Sequence, residues 1–193
     1  MSKGRLISFE GLDGAGKTTQ MQLLEQWLAA RDIPYIRTRE PGAEAFLFQA
    51  DRAQHFANIV IPALEAGKLV ITDRCIDASI AYQGHARGVG IELVARLSVI
   101  ATQGYIPNLT ILLDLDPALV HARTDTANDA SGLREQQTRF DAEEEQFHQR
   151  VREAFLVLAR IHPQRIKVLD ASLPPELLHE QIIALVEPLL QDM

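Results

Sequence analysis

The chain has 193 residues, 47% of them hydrophobic, which suits a single domain with its own core. Its 26 acidic against 19 basic residues leave a net charge of −7, the wrong sign for tracking a nucleic-acid backbone. The lone Cys75 excludes an intramolecular disulfide, no Cys/His cluster has zinc-ligand spacing, and no run approaches the ~18 apolar residues of a membrane span, so a cytoplasmic protein with neither membrane nor nucleic-acid partners is expected.

Taken in chain order, an apolar run at 6–9 predicts a first strand, too short for a signal peptide. It leads into GLDGAGKT at 11–18, which matches GxxxxGKT in the strand-to-helix context that the pattern requires. Backbone N–H groups of Gly11, Leu12, Asp13, Gly14, Ala15, Gly16, Lys17, Thr18 and Thr19 would then converge on nucleotide phosphates. Lys17 would reach the β- and γ-phosphates of ATP, and the Thr18 hydroxyl would ligate Mg²⁺. A helix over 18–31, a strand over 35–38 and a long helix over 44–67 follow, the last distorted by Pro62.

A third strand at 69–72 delivers Asp73 and Arg74 to the carboxyl end of the sheet, where a carboxylate holds the metal or its water and a guanidinium bridges phosphates. Beyond it the periodicity predicts a helix over 91–104, a strand over 109–113, helices over 117–124 and 139–162, a strand over 166–169 and a helix over 175–191. The polar stretch 124–138 reads as a lid. Five strands alternating with helices predict an α/β fold, a parallel sheet with helices on both faces, in one domain over 1–193.

Several motifs occur together in a fixed order: FEGLDGAGKTT at 9–19, REPG at 39–42, LFQADRAQH at 47–55, DRCIDASIAYQG at 73–84, PNLTILLD at 107–114 and RFDAEEEQFHQRV at 139–151. In this arrangement the chain resembles bacterial thymidylate kinases over nearly its whole length. The resemblance implies a P-loop nucleoside-monophosphate-kinase fold with a lid, a homodimer, and transfer of the γ-phosphoryl group of ATP to dTMP, giving dTDP and ADP for dTTP synthesis. It assigns Phe48 to stacking on thymine, Arg52 to a polar contact with the base, Ser79 and Gln83 to its remaining polar edge, and Tyr82 to crowding the 2′ position. Arg39 and Arg74 would hold the acceptor phosphate, Asp13 would lie near the sugar hydroxyl and the metal, and Glu10 would assist this network.

The P-loop's variable positions, Leu12, Asp13, Gly14 and Ala15, carry no cation, so Arg134 or Arg139, in and after the lid, is expected to neutralise the transferring phosphoryl group. Two departures from the family stand out: Asn108 where Asp is frequent, and a short segment after Gly42, where family members carry a further turn and helix. Two other readings share these motifs. One is a P-loop kinase for another nucleoside or nucleoside monophosphate; the other is an ATP-binding homologue impaired by the short segment. A GTPase-like switch finds no NKxD signature in support.

Overall fold

The computed structural model describes residues 4–12, 15–39, 45–117, 119 and 140–191. Five strands, β1 (Leu6–Glu10), β2 (Tyr35–Arg39), β3 (Leu69–Asp73), β4 (Leu109–Asp114) and β5 (Ile166–Asp170), form one sheet in the order β2-β3-β1-β4-β5. All its pairings are parallel. Runs rich in Leu, Ile and Val suit strands covered on both faces, and β1 and β3 are buried at every position. Each strand starts where its apolar run starts and extends one residue past it, onto Glu10, Arg39, Asp73, Asp114 or Asp170. A charged residue thus ends every strand, and the carboxyl edge of the sheet becomes its polar, ligand-facing edge.

Helices α1 (Lys17–Ala29) and α7 (Pro175–Leu190) pack on each other and on the sheet, Met21, Leu24 and Leu28 joining Ile182 and Val186 in the main core with Ile7 and Phe9. Leu6 and Val70 sit in a second cluster with Phe56, Val60, Ala63 and Leu64.

The single helix expected over 44–67 is instead three pieces: α2 (Ala45–His55), a π-helical turn (Phe56–Val60) and α3 (Ile61–Glu65). Pro62 has no N–H to close an ordinary helical turn, and the wider turn just before it absorbs the mismatch. A second departure is α4 (Ile76–Ser79), which runs on through a π-helical segment (Ile80–Ala86) where no helix was predicted. Next come α5 (Ile91–Ala101), ending earlier than expected at a turn where Gly104 takes φ +85°, and α6 (Phe140–Ile161). The expected helix over 117–124 lies almost wholly, and the lid over 124–138 entirely, outside the described residues. No described helix is long and apolar enough to cross a membrane.

Candidate active site

The phosphate cradle begins where β1 ends. Gly11 takes φ +137°, and a Cβ there would lie 2.6 Å from the Leu113 carbonyl oxygen, so only glycine lets the loop leave β1 so close to β4. The Ala15 N–H donates to the Leu12 carbonyl at 3.1 Å, tightening the turn into α1. Gly16, at φ +92°, caps α1 without any side-chain hydrogen bond, leaving the first-turn N–H groups and the positive helix end to an anion. Thr18 and Thr19 are exposed at this end, whereas Lys17 is buried, its Nζ donating to the carbonyls of Gly11 at 3.0 Å and Leu12 at 2.8 Å. The ammonium therefore lies across the loop that would hold the phosphates. Asp13 and Gly14 lie outside the described residues.

Beside the cradle, Asp73 stands level with Phe9 of β1 and Arg39 of β2 in the strand register. Arg74 turns the chain sharply, with φ +67°, its N–H donating to the Phe9 carbonyl at 3.2 Å and its own carbonyl accepting from the Thr72 hydroxyl at 3.0 Å. Such a conformation costs a residue with a Cβ about 1–2 kcal/mol. It sends the guanidinium back over the Tyr82 ring, 4.6 Å from its centroid. Tyr82 is in turn edge-on to Phe147 and Phe155 of α6, at 6.0 and 6.2 Å, so its ring is fixed from both sides.

The third wall is built from α2 and α4. Arg52 is buried, its guanidinium donating to Gln49 Oε1 at 2.9 Å, Ser98 Oγ at 3.2 Å, the Cys75 carbonyl at 3.2 Å and Ser79 Oγ at 2.8 Å. It braces α2 against α4 and α5. Phe48 is partly exposed and, among the described residues, belongs to neither core cluster, unlike the fully buried Phe56 two turns on. Ser79 and Gln83 are buried along the inner helix. Glu10 is buried below them, its Oε1 accepting the Cys75 N–H at 2.8 Å. The Cys75 thiol is buried, and its backbone carbonyl and N–H bond Arg52 and Glu10.

Comparison with known proteins decides the family. The family model described as thymidylate kinase matches residues 9–44 and 42–182. The chain is 41% identical to a thymidylate kinase of Solidesulfovibrio magneticus over 207 residues, covering 95% of this chain and 99% of that one. It is 44% identical to a thymidylate kinase of Leifsonia xyli over 195 residues, 90% of each chain. Among solved structures, thymidylate kinase from Ehrlichia chaffeensis superposes with a TM-score of 0.73 at 28% identity, over 95% of this chain and 99% of that one.

The chain belongs to the thymidylate kinase family.

Two findings agree with a short segment after Gly42 relative to the thymidylate kinase family. The family model matches in two pieces that meet at residues 42–44, and alignment with the Solidesulfovibrio magneticus relative needs 207 positions, more than the 193 residues present here. Only residues 40–44 separate β2 from α2. The Thr38 hydroxyl meets His55 Nε2, so α2 is fastened directly to β2.

Of the expected site residues, the structure brings together Glu10, Lys17, Asp73, Arg74, Arg52, Ser79, Tyr82 and Gln83 at the carboxyl edge and on the adjoining helices. Arg39 closes β2 at the same edge. Arg134 and Arg139 lie outside the described residues. Among the described residues, ion pairs made by Arg152 and Arg165 escaped the sequence reading. Arg152 on α6 grips Asp114 at the end of β4 through two bonds of 2.7 and 2.9 Å and reaches Asp116 at 3.3 Å. The hydrogen bond to Asp114 is the main influence raising the Arg152 pKa above its ordinary value, so the clamp that fastens α6 to this edge stays charged. The other pair joins Arg165 to Asp77.

Proposed function

We propose that the chain transfers the γ-phosphoryl group of ATP to dTMP, with Lys17 on the β- and γ-phosphates, Thr18 and Asp73 holding Mg²⁺, and Arg74 and Arg39 holding the acceptor phosphate. One contact carries this reading: the Arg74 N–H bonds the Phe9 carbonyl, so the acceptor-binding turn is tied to the strand that opens the P-loop. Donor and acceptor phosphates would thus be held by neighbouring strands, and holding both reactants is most of what such an enzyme must do. The residues suit the metal: an exposed Thr18 hydroxyl and the Asp73 carboxylate are hard oxygen donors, and Mg²⁺ bound through phosphates needs only one or two protein ligands. When bound, the ion neutralises charge on the phosphate oxygens.

In this reading Phe48 stacks on thymine, Ser79 and Gln83 meet its polar edge, and Arg52 supports them through its bond to Ser79. Tyr82, held between Arg74 and the α6 aromatics, is a wall that yields little to a 2′-hydroxyl. A coupled ADP-release assay should therefore give a higher kcat/KM for dTMP than for UMP. The thymine methyl alone accounts for only ~10-fold or somewhat more, so steric rejection of ribose supplies the remainder. Equal kcat/KM for the two acceptors would remove the thymidylate assignment and leave a broader monophosphate kinase.

The protein acts in the cytoplasm as a homodimer. Supporting this assembly, Phe46 and Leu47 on α2, Ile59 beyond it, and Leu93, Val99 and Ile100 on α5 are exposed apolar side chains on helices that touch each other. Such a face favours burial against a second copy. Sedimentation should give twice the 21.5 kDa chain mass, and Ile100→Glu should shift it toward the monomer. A monomer at micromolar concentration would refute the dimer.

A further inference from the structure

The α4 helix spans Ile76–Ser79, its N-terminus has no side-chain cap, and all four helical residues are buried. Even with its π-helical continuation to Ala86 this helical stretch is too short to be stable alone, so its position is set by what grips it. From one side Arg52 holds the Cys75 carbonyl and Ser79 Oγ. From the other, the Asp77 carboxylate accepts from Arg165 Nη1 at 2.6 Å and Nη2 at 2.8 Å, a fork-on-fork pair. The Thr110 hydroxyl donates to Asp77 at 3.0 Å while accepting from Arg165 at 2.9 Å and from Ser8 Oγ at 2.9 Å. Arg165 also accepts the Thr110 N–H on its backbone carbonyl at 2.8 Å. The network therefore runs across three strands' worth of backbone, from β1 through β4 to the entry of β5, and ends on the helix that leads into Ser79, Tyr82 and Gln83.

We propose that Arg165, although it precedes β5 at the end of the sheet away from the P-loop, is a positioning residue for the acceptor pocket, setting the seat of α4 through Asp77 and hence the placement of Ser79, Tyr82 and Gln83. This rests on reading those three residues as the acceptor pocket. Burial alone would lower the Arg165 pKa, but the hydrogen bond and charge of Asp77 outweigh it and raise the value above the ordinary one, so the fork stays protonated. Lys17 and the P-loop hang from β1 and α1, which the network meets only through the Ser8 hydroxyl in mid-strand.

The test compares Arg165→Met, Arg165→Lys and the charge-free pair Asp77→Asn/Arg165→Met by initial rates, with dTMP and ATP varied in turn and folding checked by cooperative melting. Arg165→Met should raise the KM for dTMP about five- to tenfold while the KM for ATP stays within about twofold, as expected when a remote network biases one site only. Arg165→Lys should recover part of the loss. The double variant leaves no buried charge without its partner, so it folds even where Arg165→Met does not, and it should show the same shift in dTMP alone. A folded variant with wild-type KM for dTMP, or a rise in both KM values together, overturns the proposal. Ser79→Ala run alongside separates the two readings. If it raises the KM for dTMP while the Arg165 variants do not, the positioning role fails; if it too is silent, the pocket assignment fails.

Discussion

Lys17→Ala is expected to abolish phosphoryl transfer and leave the fold intact. The Lys17 ammonium already lies across the cradle on the Gly11 and Leu12 carbonyls, buried at the head of α1, and no other described cation belongs to this loop. In the transition state charge spreads over the oxygens of the moving phosphoryl group, and a fixed cation in a water-poor site stabilises that charge more than the ground state. Removing one such donor costs on the order of 10²–10³-fold in kcat. The structural cost is smaller: two loop carbonyls lose a partner, about 1–3 kcal/mol, and water can reach a loop whose neighbours Thr18 and Thr19 are exposed. The ADP-release rate and a thermal melt measured on one preparation check both halves. Near-normal turnover in Lys17→Ala would mean that the loop does not hold the reacting phosphates.

Arg134→Ala is expected to lower kcat by at least about two orders of magnitude with little change in the KM for ATP. Leu12 and Ala15 bring no charge to the P-loop, and Asp13 and Gly14 add no cation by sequence. The function proposed above gives Arg74 to the acceptor, and its guanidinium lies over Tyr82. A second cation beside Lys17 is then expected from elsewhere in the chain, and Arg134 sits in the polar stretch directly before α6. The Arg152 clamp on Asp114 supports this, because it fixes the helix following that stretch to the end of β4. A residue that touches only the transferring group changes kcat and not ground-state binding. Arg139→Ala is the internal comparison: a silent Arg134→Ala beside a crippled Arg139→Ala moves the role to Arg139, and two silent variants reject a lid arginine.

The sheet and the cradle were legible because their signals are local. Short β-like runs mark all five strands, and GLDGAGKT at 11–18 states its chemistry in eight consecutive residues. The charged last residue of each strand was missed because an apolar run stops one position before the pairing does. The α4 segment was harder to see. It follows Cys75 rather than a Ser, Thr, Asp or Asn cap, contains Gly84, and is buried so completely that no polar face gives it a helical period. Asp77 and Arg165 are 88 residues apart, and no window pattern joins them. One trace of the network was present in the sequence: Ser8 and Thr110, paired in register in central strands, are polar residues where an apolar core was expected, and buried hydroxyls demand partners. The short segment after Gly42 was visible only through family resemblance, since nothing in β2 or α2 announces a missing neighbour.

This chain, despite that short segment, is expected to phosphorylate dTMP from ATP. The most direct measurement is ADP release by the unaltered protein with ATP and Mg²⁺, with dTMP present or omitted, and with other nucleoside monophosphates in its place. ADP formation should depend on dTMP and have its highest kcat/KM with that acceptor. ADP release that dTMP does not stimulate, from a protein that melts cooperatively, would contradict it.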